Sequence, residues 1–326
     1  MLRSRRWWWI LLASTIALFP LAPDRGAAAD GDPVVLAGHE KDALCVAFAP
    51  GGATLASGGK DAAILIWDIA TTKSTAKLTG HKGSIQALAF SPDGKLLASG
   101  EMYKMVKVFE VATGKEAASI EAHGTGVNAV RFSPDGKLIA SGGTDRAVKL
   151  WNPATGEAAG ALDGHKHAVN ALAFSPDGAT IASGDEGGNL FLFDLAERKA
   201  RFTAKVHAKA IRCIAFSPDG TCVVTGATDP AIKAFSAATG EERADFKGAE
   251  VLANSFSFAP DGARIAAGTQ DGTVLLLSAA DGKTLSTLKG HQRPVTGVAW
   301  SPTGATVASS SMDRSIRLWP VPPAAK

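Results

Sequence analysis

Histidine, serine and aspartate recur in this chain at spacings that could gather them around one reacting group. His123, Ser141 and Asp145 stand close in sequence, with Trp151 just behind them. A serine hydroxyl activated by an imidazole, itself oriented by a carboxylate, is the arrangement of acyl-transfer hydrolases. The same set returns as His39, Ser57, Asp61 and Trp67, and again as His291, Ser309, Asp313 and Trp319. No hydrolase needs three equivalent triads. Repetition therefore favours a structural role, because a buried chain of polar groups specifies packing.

The elements that must position these residues follow from the spacing. Histidines stand at 39, 81, 123, 165, 207 and 291, always 42 residues or a multiple apart, and Ala249 fills the gap. One aromatic track runs through Phe48, Phe90, Phe132, Phe174, Phe216, Phe258 and Trp300. Another runs through Trp67, Phe109, Trp151, Phe193, Phe235, Leu277 and Trp319. Seven copies, starting near 38, 80, 122, 164, 206, 248 and 290, keep register without insertion or deletion. A period of this length means stacked supersecondary units, none able to bury its apolar face alone.

Each copy reads as four short strands. In the third copy these are 127–132, 138–142, 147–151 and 158–162. Ser133-Pro134-Asp135-Gly136 is a turn between the first two, with proline presetting one dihedral and glycine accepting the positive φ that follows. Strands this short, separated by Gly, Pro and Asp clusters, exclude a helical repeat. An open array would leave two exposed sheet faces, so the row is expected to close on itself. Pro320, Pro322 and Pro323 forbid a last paired strand after Trp319. The missing strand is at the other end, where Leu36 in 33–37 aligns with Leu78, Ile120, Leu162, Phe246 and Leu288.

Gly80-His81, Gly164-His165 and Gly290-His291, together with Trp67-Asp68 and its relatives, resemble the GH…WD signature of the WD-repeat β-propellers. The resemblance covers 33–320. It implies an all-β, seven-bladed propeller whose ring the N-terminal strand closes by completing the last blade, and a protein that binds other proteins without catalysis. It also implies that His, Ser or Thr, Asp and Trp form a hydrogen-bonded tetrad bracing each blade. Blade two departs with Tyr103 and Phe109, blade four with Gly187 and Phe193, and blade five with Phe235. Blade six has Ala249, Ala267 and Leu277, and is expected to open first.

Partner contacts in that family come from the residues three and five after the His and the one before the Asp. Here the apolar members, Leu44, Met102, Leu252, Pro294 and Met312, with the lone tyrosine Tyr103, fall in blades six, seven, one and two, contiguous once the ring closes. Arg212 belongs to a polar arc with Asn128, Thr144, Asn170, Glu186 and Thr228. A clustered apolar patch with a polar flank is what a partner site looks like. The expected function is an exported interaction scaffold, monomeric on its own, that binds a protein or peptide on the His/Asp-loop face. The alternatives are a small-molecule sensor at a channel mouth lined by Asn128, Asn170, Asn254 and Arg212, and a propeller enzyme.

Other chemistry finds little support. Lacking insertions, the chain has no long loop from which to build a lid. His165 and His167 are two apart, but His165 belongs to the periodic track, so no metal and no cofactor is expected. Cys45 and Cys213 share an offset in non-adjacent copies, and counting back from the turn puts Cys222 opposite Phe216, so three buried free thiols are expected. Residues 1–29 read as a cleaved signal peptide: Arg3, Arg5 and Arg6, an apolar run from Trp7 to Phe19, and Ala27-Ala28-Ala29. That predicts a periplasmic or extracellular protein, with a single propeller domain over 30–326 and no membrane span in the mature chain. The same 29 residues hold four arginines against one aspartate, which accounts for the whole formal charge of +3. The remainder is neutral, so nucleic acid is not an expected partner.

Overall fold

Alternating and continuous apolar runs bounded by turn residues form strands in every copy, and among the residues described by the computed structural model, 32–322, there is no helix. The strands assemble into seven antiparallel sheets, each one blade of a β-propeller. In the third blade Val127–Phe132, Ile139–Gly143, Val148–Trp151 and Ala158–Leu162 pair in chain order from the axis outward. Two of these strands start one residue later than the sequence suggests, because the turns are held by side chains. Ser133 Oγ donates to Asp135 Oδ1 at 2.6 Å and accepts from Leu138 N at 3.0 Å, while Gly136 takes φ of 72°. The unit built from these blades spans Asp32–Lys326. The expected leader, 1–29, lies outside the described residues.

The last sheet is completed from the far end of the sequence. Val34–Ala37 pairs antiparallel with Ser315–Pro320, placing Leu36 opposite Ile316 and Val34 opposite Leu318. Leu36 is buried and packs with Leu55, Trp67 and Ile316, joining the last blade to the first. The innermost strands touch their neighbours in turn, Val295–Trp300 against Ala43–Phe48 included.

Two devices hold adjacent blades together. The first is a column of small residues in the second strand. A Cβ on Gly142 would lie 2.8 Å from Val169 of the next blade, and one on Gly58 would lie 2.6 Å from Ile85. Glycine lets the neighbouring inner strand approach to van der Waals contact. The second is a set of hydrogen bonds to the first carbonyl of the next inner strand. Asn128 Nδ2 donates to Val169 O at 3.1 Å, Asn170 Nδ2 to Ile211 O at 3.2 Å, Asn254 Nδ2 to Val295 O at 2.9 Å and Thr296 Oγ1 to Ala43 O at 2.8 Å. In blades one and five the equivalent residues are Leu44 and Arg212, and the following cysteine takes over. Cys45 Sγ reaches Ile85 O at 3.6 Å and Cys213 Sγ reaches Ala253 O at 3.5 Å. A thiol is a weak donor, but it satisfies a carbonyl that is otherwise hard to reach. Burial raises the Cys45 pKa to about 12 and drives Cys213 up as well, so both remain protonated donors.

Two expectations need correction. Blade five has three strands, Ile211–Phe216, Cys222–Ala227 and Ile232–Ser236; its expected fourth is reduced to an isolated bridge between Phe235 and Glu242. Arg243 N still donates to Ala234 O at 2.7 Å. Arg243 then pairs with Asp245, and Phe246 N turns back to Arg243 O at 3.2 Å, so the chain leaves the ladder. Phe246 is nevertheless buried. Cys222, meanwhile, pairs with Ser236, while Val223 stands opposite Phe216. The turn there holds one residue more than the count assumed, closing from Ser217 N to Cys222 O at 2.9 Å. All three cysteines are free and buried.

Candidate interaction face

The third blade shows how sequence becomes a loop of fixed shape. Trp151 Nε1 donates to Ser141 Oγ at 2.8 Å, Ser141 Oγ lies 2.8 Å from His123 Nε2, and His123 Nδ1 lies 2.7 Å from Asp145 Oδ1. One tautomer satisfies every link: the proton sits on Nδ1 and is donated to the carboxylate, while Nε2 accepts from the hydroxyl. The aspartate then reaches beyond the chain of four, because Asp145 Oδ2 accepts from Gly124 N at 3.2 Å. The bracing network thus holds the loop that follows the histidine. Blades one and seven repeat the geometry, with Ser57 and Ser309 each 2.8 Å from the His Nε2 and the Trp Nε1. Glu40 N and Gln292 N donate to the respective aspartates at 2.9 and 3.0 Å.

Electrostatics agree with a neutral imidazole. Burial, the largest cause, lowers the pKa of His81, His123, His207 and His291 against the opposing pull of their carboxylates. Burial works to raise Asp313, but hydrogen bonds from Ser315 and His291 outweigh it and hold the group at about 2. The tetrad serines are all 0% exposed. Each hydroxyl is thus enclosed within its blade, bonded to the histidine and, where present, the tryptophan.

Blades two and four hold a feature the periodic reading missed. Their tetrad aspartate positions carry Tyr103 and Gly187, yet a carboxylate still meets each histidine, from two residues earlier. Asp185 Oδ2 is 3.0 Å from His165 Nδ1, on a fully buried carboxylate whose Oδ1 accepts from Asn189 Nδ2 at 2.9 Å. Glu101 Oε2 accepts from Lys82 N and Gly83 N, both at 2.9 Å, and stands 3.1 Å from His81 Nδ1. That last contact is off the line of the N–H, which leaves Nδ1 without a directed hydrogen bond. Other blades have a small residue here, such as Gly59, where a Cβ would come within 2.7 Å of His39 Nδ1. An acid at this offset only in the two copies lacking the usual one was the available signal. Blade five keeps His207, Thr225 and Asp229, at 2.9 and 2.8 Å from the ring nitrogens. In blade six Asp271 bonds only Thr269 and Thr273.

The face built on these loops sorts the residues singled out from the sequence. Met102 and Tyr103 are 59% and 57% exposed, and Leu252 is 38% exposed. Pro294 and Met312 are half-buried. Arg293 Nη1 donates to Met312 O at 3.0 Å and lies 3.4 Å from Asp42 Oδ1, tying blade seven to blade one. A hydrogen bond from Lys60 to Asp42, at 2.8 Å, is the largest cause holding that carboxyl below its usual range. Leu44 and Arg212 line the axial channel instead. Asn128, Asn170 and Asn254, read from the sequence as ligand contacts, are engaged between blades. Among the described residues no cluster of three or more His, Cys, Asp or Glu could hold a metal ion, and no helix is long and apolar enough to cross a membrane.

Comparison with known families agrees with this geometry. The WD domain, G-beta repeat, matches residues 33–68, 72–110, 240–277 and 282–320. The N-terminal domain of the nucleolar protein 10-like family, a β-propeller, matches residues 117–257. With seven blades in the ring, these matches make the chain a WD-repeat β-propeller. No curated protein matches it. The family matched over 117–257 is named for a nucleolar protein, which conflicts with the exported, periplasmic or extracellular location read from the first 29 residues; that expectation is corrected here.

Proposed function

We propose that this propeller is a non-catalytic interaction scaffold that docks a partner protein or peptide on its His/Asp-loop face, with Met102 and Tyr103 as anchors. The observation that carries this reading is their exposure on a loop that is already rigid. Met102 N donates to Ser84 O at 2.8 Å, and Glu101 accepts from Lys82 N and Gly83 N. The Tyr103 ring lies on Gly83, where a Cβ would meet it at 2.8 Å. A pinned aromatic loses little side-chain freedom on binding, which is why such residues make anchors. Leu252, Pro294 and Met312 extend the apolar arc.

The test is a Met102→Glu, Tyr103→Ala double variant compared with wild type in quantitative affinity capture followed by binding of the purified partner. Binding weakened by about a hundredfold is expected if both anchors are lost. Capture of every partner at wild-type strength would remove the proposal.

A further inference from the structure

The axial channel contains two cations that the fold does not explain. The position eight after the histidine offset is small in six blades, Ala47, Ala89, Ala173, Ala215, Ser257 and Ala299, and of these Ala47, Ala89, Ser257 and Ala299 line the channel. In blade three it is Arg131. That guanidinium makes one hydrogen bond, from Nη1 to Val130 O at 2.8 Å, and most of its five donors are left over. Arg212 stands three strand residues nearer the His/Asp-loop face, roughly 10 Å along the axis. No hydrogen bond engages it, because the stitch to the next blade is made by Cys213 Sγ. Among the described residues neither arginine has a carboxylate partner, and the channel lining contains no Asp or Glu.

The small neighbours leave a cavity of about 410 Å³ into which both guanidinium groups project. That volume lies within the range of small-ligand sites, roughly 300–1,000 Å³. Water reaches Arg131 from within the channel, yet the surrounding protein strips enough solvent to pull its pKa below the ordinary arginine value. An unpaired cation in such surroundings attracts an anion more strongly than one on an open surface. Asn128, Asn170, Asn254 and Thr296 at the mouth are occupied by the blade stitches, which leaves the two arginines as the charged donors beside the neutral amide of Gln86.

We infer that the channel is a binding site for a small organic or inorganic oxyanion, a phosphate or polycarboxylate, held by Arg131 from within and Arg212 at the mouth. This site is separate from the apolar arc that carries the proposed partner contact, and the two can fail independently.

The test is calorimetry and thermal shift on the full chain with inorganic phosphate, pyrophosphate and citrate, against sodium chloride of matched ionic strength. At least one oxyanion should bind saturably and raise Tm beyond the chloride control. Arg131→Gln and Arg212→Gln should each weaken that binding by about tenfold or more, as expected for a charge-assisted contact. Lys137→Gln, which removes a charge from an exposed turn, should leave it unchanged. Should Arg131→Gln fail to fold, Arg212→Gln at the open mouth carries the test alone. The inference is overturned if no oxyanion exceeds the chloride control, if both arginine variants that fold bind as wild type does, or if only an acidic peptide binds.

Discussion

Blades three and six are copies of one pattern with opposite means of support. In blade three, Trp151, Ser141, His123 and Asp145 link the third strand, the second strand, the entering loop and the exposed turn into one hydrogen-bonded line. In blade six those places carry Leu277, Ala267, Ala249 and Asp271, and the blade is held by apolar packing among Phe256, Ile265, Leu275 and Leu277. Both keep four strands. The bracing network is therefore not required to form a blade. What it adds is control of the loop: Asp145 accepts from Gly124 N, whereas Asp271 bonds only within its own turn. The polar line holds the loop after the histidine in shape, while the backbone ladder and apolar packing hold the sheet.

The largest effect should come from removing the strand on which the ring depends. Deletion of residues 33–37 exposes the edge of Ser315–Pro320 and uncovers Leu55, Trp67 and Ile316. It should cost several kcal/mol and favour association through the open edge, since a buried aliphatic side chain alone is worth about 1.5–3 kcal/mol. A deleted chain as stable and monomeric as the full one, by denaturant titration and light scattering, would break the picture of closure. Ser141→Ala should follow, destabilising by about 2–3 kcal/mol because Trp151 Nε1 and His123 Nε2 both lose a buried partner.

A paired substitution sharpens the contrast between blades. Asp145→Asn should cost about 1–2 kcal/mol, and Asp271→Asn, at the equivalent place in blade six, no more than about 0.5 kcal/mol. Equal losses would show that Asp145 acts only in its local turn. Native-state hydrogen exchange should likewise find second-strand amides in Arg264–Thr269 opening before those in Ile139–Gly143.

Acidification should loosen the braced blades. His81, His123, His207 and His291 have folded pKa values below the ordinary 6.5, so below that pH the unfolded chain takes up protons first and stability declines. A second decline is expected below about pH 4, as Asp313, with a folded pKa of about 2, is protonated more readily in the unfolded chain. A Tm that stays flat between pH 7.5 and 5 would mean the imidazoles are not held neutral. The smallest stability effect belongs to Met102→Glu, Tyr103→Ala, within about 0.5 kcal/mol, because both side chains are exposed.

What could be read from sequence was whatever lies within one period. The distance from His123 to Ser141 and Asp145 is fixed by two strands and a turn, so the same interval brings the same atoms together in each blade. The blade count, the strands and the turns follow from that regularity. The strand at Val34–Ala37 was also legible, because its apolar offset matches the outermost position of the other copies. Blade five's lost fourth strand was not, since its residues keep the pattern while the chain turns off the ladder at Arg243, where Phe246 N donates back to Arg243 O and Lys247 N donates to Asp281 O.

Contacts across periods were decided by the ring. Nothing in the order of residues says that Asn128 will spend its amide on Val169 O, or that Cys45 and Cys213 will replace a missing amide with a thiol. Nor does it show that Arg131 stands among small residues in the axial channel. Each depends on how closely one blade approaches the next, and on which side of a pleat faces the axis. A local repeat sets the shape of each part, and the packed circle decides which polar groups remain free for a ligand.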